Sequence, residues 1–247
     1  MTTRRSFLKQ ASLASAPFIL PSHIWAAKGD ASPNNRINIA IIGPGKMGRG
    51  HANFLVRNPR AQLTGFAEIA DVRTKHTKDL IEKHYSKNTP GDNWKGLKIT
   101  KNYLELLEDK SLDAVLIATP DHWHGEATIQ AARAKKHVYC EKPISLTIQE
   151  GRAMANAVKE NNIVFQTGSQ QRTQYGGKFR RTVEMIRSGA IGELKKIRVC
   201  VGGPPKPCDL PTEPIPEGID WEAWLGPAPM RGFNKILCPD DVHNHFP

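Results

Sequence analysis

Residues 36–48, R-I-N-I-A-I-I-G-P-G-K-M-G, constrain what this chain can fold into more than any other stretch. Ile37, Ile39, Ala40, Ile41 and Ile42 form a short β-branched run, the pattern of a strand buried on both faces of a parallel sheet. Gly43, Gly45 and Gly48 follow as G-x-G-x-x-G, and then comes a helical pattern with Met47, Phe54 and Leu55 on one side. In such a strand–turn–helix unit the first glycine permits the tight turn. The second lets backbone approach a pyrophosphate, and the third lets the helix lie against the strand. Phosphates would sit at the helix N-terminus, where N–H groups and the helix dipole favour negative charge. Lys46 and Met47, between the glycines, join them as expected cofactor-binding residues.

An acid belongs downstream of such a fingerprint, and Glu68 stands twenty residues beyond Gly48 (68 − 48), at the end of the strand-like run L-T-G-F-A. A carboxylate there accepts hydrogen bonds from both ribose hydroxyls and repels a 2′-phosphate, which favours NAD over NADP. Asp71 competes for this role, its other reading being an N-cap for the next helix; the spacing favours Glu68.

The 247 residues exceed the usual size of one domain, so two are expected, and 39% hydrophobic residues suffice for a core. The net charge of +11 falls to about +8 (11 − 3) without Arg4, Arg5 and Lys9. The remaining cations are scattered and aromatics make up 7%, which argues against nucleic-acid binding and fits a solvated surface that attracts an anionic dinucleotide. Cys140, Cys200, Cys208 and Cys238 show no metal spacing. Cys140 and Cys200 fall in strand-like runs, and a Cys208–Cys238 disulfide is compatible with export without being required.

The N-terminus has a charged start, an apolar stretch at 11–20 and Ala26-Ala27, the outline of a signal peptide. T-R-R-S-F-L-K at 3–9 resembles the twin-arginine signal, which implies the export machinery as a partner and a periplasmic or otherwise exported location. Residues 28–35 read as a linker.

Helices are expected at 72–84 and after Asn102, where Glu105 completes capping-box spacing. Strands are expected at 97–100, 112–118, 137–140 and 163–167. The strand at 112–118 ends in T-P-D-H-W-H, whose Thr119, Pro120 and His124 fall where a cofactor would lie, and a helix runs on to Ala134. The strand at 137–140 leads into Glu141-Lys142-Pro143, after which Thr147 and Glu150 cap a helix with Ile148, Gly151, Ala155 and Val158 on one face. Six strands alternating with helices predict an α/β fold: a Rossmann-type doubly wound parallel sheet over 36–167, with its ligand at the carboxyl ends of the strands. Residues 168–247 begin a second domain, with a helix whose Phe179, Val183 and Ile186 face inward and a long strand at 194–201. Proline-rich sequence follows, and the whole is an incomplete α/β or α+β unit.

The ordered motifs G-P-G-K-M-G, A-T-P-D-H-W-H, C-E-K-P, S-G-A-I-G-E-L and D-W-E-A-W-L-G-P-A-P resemble the glucose–fructose oxidoreductase and inositol dehydrogenase family (Gfo/Idh/MocA), especially its exported members. The similarity covers nearly all of 36–246, and E-K-P is its most specific element. The resemblance implies hydride transfer between NAD(P) and a sugar, polyol or related carbohydrate, by an enzyme that is a homo-oligomer when full length. It implies that Lys142 contacts the reacting hydroxyl, that a cis peptide precedes Pro143, and that His124 and Glu141 lie beside the cofactor. Without the motif, Lys142 reads equally as a surface lysine paired with Glu141. The D-H-W-H cluster lacks further ligands for a metal, and His243 and His245 form only a lone H-x-H. Arg172 and Tyr175 are candidate substrate contacts, although Arg172 also suits a domain junction. The family's second catalytic histidine follows the W-L-G-P-A-P motif at a distance this chain does not reach, so the resemblance implies the front portion of such an enzyme. Two other functions are compatible with the same fingerprint: glycoside cleavage through transient oxidation, and a non-catalytic dinucleotide-binding fragment.

Overall fold

The computed structural model describes residues 35–87, 96–171, 173, 175–200, 202–203 and 209–239. The chain divides into two units, Met1–Arg36 and Ile37–Pro247, and the fold below is that of the second. The twin-arginine segment, Arg172, Cys208, His243 and His245 lie outside the described residues.

Strand and helix alternate from the start: β1 (Ile37–Ile42), α1 (Lys46–Leu55), β2 (Ala61–Ala67), α2 (Asp71–Ser86), β3 (Lys98–Thr100) and α3 (Tyr103–Leu107). Then come β4 (Ala114–Ile117), a 3-10 turn (Asp121–Trp123), α4 (His124–Arg133), β5 (His137–Glu141), α5 (Ile148–Asn161) and β6 (Phe165–Gly168). The six strands pair in parallel in the order β3-β2-β1-β4-β5-β6. This is the doubly wound arrangement expected from the sequence. The order reverses between β1 and β4, and a crevice opens there at the strands' carboxyl ends.

Successive strand residues point to opposite faces, and each face is covered. Ala40 and Ile42 of β1 join Val115 and Ile117 of β4 in a core with Leu106 of α3 and Ala127 and Ala131 of α4. Ile41 and Leu116 point the other way, into a core with Leu63 and Phe66 of β2, Ala52 and Leu55 of α1 and Ile81 of α2. Burial on both faces explains why these strands read as continuous apolar runs.

Helix faces correct several expectations. In α1 the buried residues are Gly48, Ala52 and Leu55, whereas Met47 and Phe54 are 40% and 65% exposed. Small residues face the sheet because α1 packs tightly against it. In α5 the buried pair is Met154 and Ala157, and Ile148 is 95% exposed. Caps fared better: Thr147 and Glu150 form the full capping box. Asn102 caps α3 by accepting from Leu104 N–H, but Glu105 turns back to the Thr100 hydroxyl at 2.7 Å, so no reciprocal box forms. Ala70, not Asp71, is the N-cap of α2, and Asp71 pairs with Lys101 at 2.8 Å.

Beyond β6, α6 (Lys178–Arg187) buries none of its residues. Phe179, Val183 and Ile186, expected inward, are 53%, 39% and 38% exposed. Residues 194–200 form no strand, and Ile197 and Val199 are 71% and 74% exposed. A strand needs a neighbour for its N–H and C=O groups, and among the described residues none pairs with this one. Cys200 is therefore exposed, while Cys140 is buried in β5.

The proline-rich stretch holds order that its sequence did not announce. Asp220 caps the short helix α7 (Trp221–Leu225), whose Trp221 and Trp224 rings stack at 4.7 Å. Phe233 meets Trp221 edge-on, and Leu225 and Cys238 complete a small core against Ile69 from the loop after β2. An antiparallel bridge between Ala70 and Ile219 ties this stretch to the mouth of the crevice.

Candidate active site

The glycine turn forms one end of the site. Gly43 has φ +75°, a conformation L side chains rarely adopt, and its N–H donates to Ala67 O at 2.9 Å. A Cβ on Gly48 would stand 2.8 Å from Gly43 O, so α1 can begin this close to the turn only without a side chain there. At Gly45 nothing lies within 4 Å of a Cβ position, and its α-carbon faces open space. Helix α1 starts at the next residue with no side-chain cap, presenting first-turn N–H groups that have no partner within the helix.

These groups border a cavity of about 770 Å³, within the range that holds a small-molecule cofactor. Gly43, Gly45, Lys46, Met47, Glu68, Thr119, Pro120, His124, Glu141 and Lys142 all line it. Gly48 does not, because it lies behind the turn and serves helix packing. Trp224 and Pro239, from the proline-rich stretch, line another side.

Glu68 directly follows β2 and is 5% exposed. Its Oε1 accepts from Ile69 N–H at 2.9 Å and Ala70 N–H at 3.0 Å, which fixes the direction of the carboxylate. Burial pushes its pKa up, only partly opposed by the Arg73 guanidinium and those two N–H groups. Arg73 in turn donates to Pro239 O at 2.5 Å, joining the acid's surroundings to the proline-rich stretch.

Across the crevice, the loop after β4 carries Thr119, whose hydroxyl oxygen is buried without a hydrogen-bond partner among the described residues. His124, 1% exposed at the start of α4, has Nε2 at 2.9 Å from Thr119 O and Nδ1 at 2.5 Å from Pro143 O. Both neighbours are acceptors, so His124 works as a strut between the β4 loop and the E-K-P turn. His122 Nε2 reaches Trp224 O at 2.7 Å, and Trp123 Nε1 donates to the same carbonyl at 3.0 Å.

Lys142 is exposed at the cavity rim, and a cis peptide joins it to Pro143, as the motif implied. It touches Glu141 through its backbone, its N–H lying 3.3 Å from Glu141 Oε2. The other carboxylate oxygen, Oε1, is 2.6 Å from Nε2 of His51 and also accepts from the Gln170 side chain. Burial raises the Glu141 pKa, but the His51 hydrogen bond and charge outweigh it and hold the carboxyl below its usual value.

His51 and Gln170 are the site-side residues that sequence reasoning missed. His51 stands three residues past Gly48 on the helix that meets the sheet, and a titratable side chain beside a buried helical stripe was the available signal. Tyr175 opens a 3-10 turn (Tyr175–Gly177) beyond β6. Among the described residues no three His, Cys, Asp or Glu side chains are grouped to hold a metal ion.

The open face at Gly45, the uncapped α1 N-terminus, the Thr119 hydroxyl and the fixed Glu68 carboxylate together fit a dinucleotide, with its phosphates on α1 and a ribose at Glu68. The chain is 31% identical over 176 residues to the myo-inositol 2-dehydrogenase of Thermotoga maritima, covering 70% of this chain and 48% of that protein. It is 26% identical over 238 residues to a glycosyl hydrolase family 109 protein of Stenotrophomonas maltophilia, covering 90% and 49%. Among solved structures, myo-inositol 2-dehydrogenase from Lactobacillus plantarum superposes with a TM-score of 0.55 at 28% identity, covering 64% of this chain and 43% of that one. The chain thus spans about half the length of the relatives it matches. Residues 37–169 match the Gfo/Idh/MocA oxidoreductase family, NAD-binding Rossmann fold, and the chain belongs to that family.

Proposed function

We propose that this chain carries the NAD-binding and proton-handling half of an oxidoreductase that moves a hydride between NAD and a secondary alcohol of a sugar, polyol or glycoside. The observation that carries the reading is Lys142 at the rim of the cavity that also holds the glycine turn and Glu68. Bound NAD supplies the hydride acceptor. Glu68 orients the ribose end, and Thr119 and Pro120 flank the reacting end. Lys142 holds the substrate oxygen and exchanges its proton as the hydride leaves the carbon. Residues 36–167 form the cofactor domain, and 168–247 contribute to substrate binding, where Arg172 and Tyr175 follow β6 as substrate contacts. Lys142→Met should lower kcat with myo-inositol, or a related polyol that the protein turns over, by a hundredfold or more while NAD affinity stays within about twofold. Unchanged turnover would contradict the reading.

Likeness to a glycosyl hydrolase family 109 protein favours one rival, glycoside cleavage with transient oxidation. Release of an aglycone without net NADH would select it, and net NADH with an intact glycosidic bond would select the dehydrogenase. Residues 3–9 further support export through the twin-arginine route. Replacing Arg4 and Arg5 by lysine should leave the protein in the cytoplasmic fraction, and continued appearance in the periplasm would exclude that route.

A further inference from the structure

Residues 218–239 are fastened to the sheet domain on both sides of the cofactor cavity. On the β2 side, Asp71 N–H donates to Gly218 O at 3.0 Å, Ala70 bridges Ile219, and Arg73 donates to Pro239 O at 2.5 Å. On the β4 side, His122 Nε2 donates to Trp224 O at 2.7 Å. Trp123 Nε1 donates to Ala223 O at 3.1 Å and to Trp224 O at 3.0 Å. The Trp123 ring also presses on Gly226, where an added Cβ would stand 2.0 Å from Cζ2. Strands β2 and β4 flank β1, so this stretch crosses the crevice rather than lying along one edge of it. Between the fastenings, Glu222, Ala223 and Gly226 line the cavity.

We propose that residues 218–239 are a strap that roofs the adenosine end of the cofactor site, so that NAD leaves only when the strap lifts from Trp123. The inference rests on the dinucleotide reading above. Glu68, which takes a ribose in that reading, stands two residues before Ala70, where the strap is fastened. Asp220 and Glu222 line the cavity, and anionic groups there would repel a pyrophosphate. The phosphates are thereby left to the α1 N-terminus and the uncharged adenosine to the strap. Trp221, Trp224 and Phe233 give the strap a core of its own, seated on Ile69, so it opens as a packed piece rather than as a loose loop. Opening breaks the fastenings on one side together, and cooperative local openings of this kind set the rate at which a covered ligand escapes.

The test times the release of bound NADH, by its fluorescence, after a chase with excess NAD. His122→Phe keeps a ring beside Trp224 and loses the donor to its carbonyl. Gly226→Ala sets a methyl against the Trp123 ring, at a φ of +47° that alanine rarely adopts. Each variant should release NADH about fivefold faster or more than wild type. Release at the wild-type rate in both would overturn the inference. A second readout uses the wild type alone and does not depend on how the variants fold. Saturating NAD should slow hydrogen exchange about threefold or more at the Asp220 and Trp224 amides, which donate to Ile69 O and Asp220 O. Unchanged exchange there would also overturn the inference. Calorimetry with NAD separates the two readings. A wild type that binds NAD while the strap results fail leaves the dinucleotide reading standing, and a wild type that binds none contradicts both.

Discussion

Leu63 in β2 and Leu194 beyond α6 are the same residue in two regions of one chain; the first has no exposed surface and the second is 52% exposed. Around Leu63 every apolar strand residue meets a helix layer, because parallel strands joined by crossover helices carry their own cover. Around Leu194 the apolar residues of α6 and of 194–200 have no such layer among the described residues. Trp221, Trp224 and Phe233 are the exception, since they pack on one another and on Ile69 of the sheet domain. An apolar pattern thus tells which face is to be covered, and only a second element decides whether it is.

The largest test of that contrast is a matched pair. Leu63→Ala should cost about 2–5 kcal/mol of unfolding free energy and Leu194→Ala less than about 1, by denaturant titration. Equal costs would break the comparison. Next comes Glu68→Gln. It should weaken NAD binding roughly tenfold, because an amide is a poorer partner for ribose hydroxyls than a carboxylate. A buried acid whose pKa is raised on folding destabilises the fold at neutral pH and is relieved by protonation. The variant should therefore melt slightly above wild type at pH 7, with the difference shrinking as the pH falls; a lower melting temperature at pH 7 would show that the ionised form supports the fold. The smallest effect belongs to Glu141, whose pKa is held below 4.5. Its stabilising contribution is present above that value and disappears as the pH falls through the folded pKa. Glu141→Gln should flatten this part of the acid-unfolding curve, and an unchanged slope would mean that the His51 contact contributes nothing to the fold.

Most of the sheet region was legible in the sequence because its signals are local. The run 37–42, the three glycines and the acid twenty residues on (68 − 48) each mark a strand, turn or strand end without reference to the rest of the chain. Helix faces were harder to read. Phe54 and Ile148 are apolar but exposed, while Gly48 and Ala157 are small and buried, since close helix–sheet packing selects for size as well as polarity. The candidate cofactor residues were readable by motif, whereas the His51–Glu141–Gln170 contact joins positions up to 119 residues apart and has no sequence pattern. The order at 209–239 was hidden for the same reason: its core closes on Ile69, far back in the chain.

The most direct measurement is calorimetric titration of the 247-residue protein with NAD and with NADP. The glycine turn and Glu68 predict saturable 1:1 binding of NAD, with NADP at least about tenfold weaker because its 2′-phosphate meets the Glu68 carboxylate. No heat with either nucleotide, or tighter binding of NADP, would contradict the account.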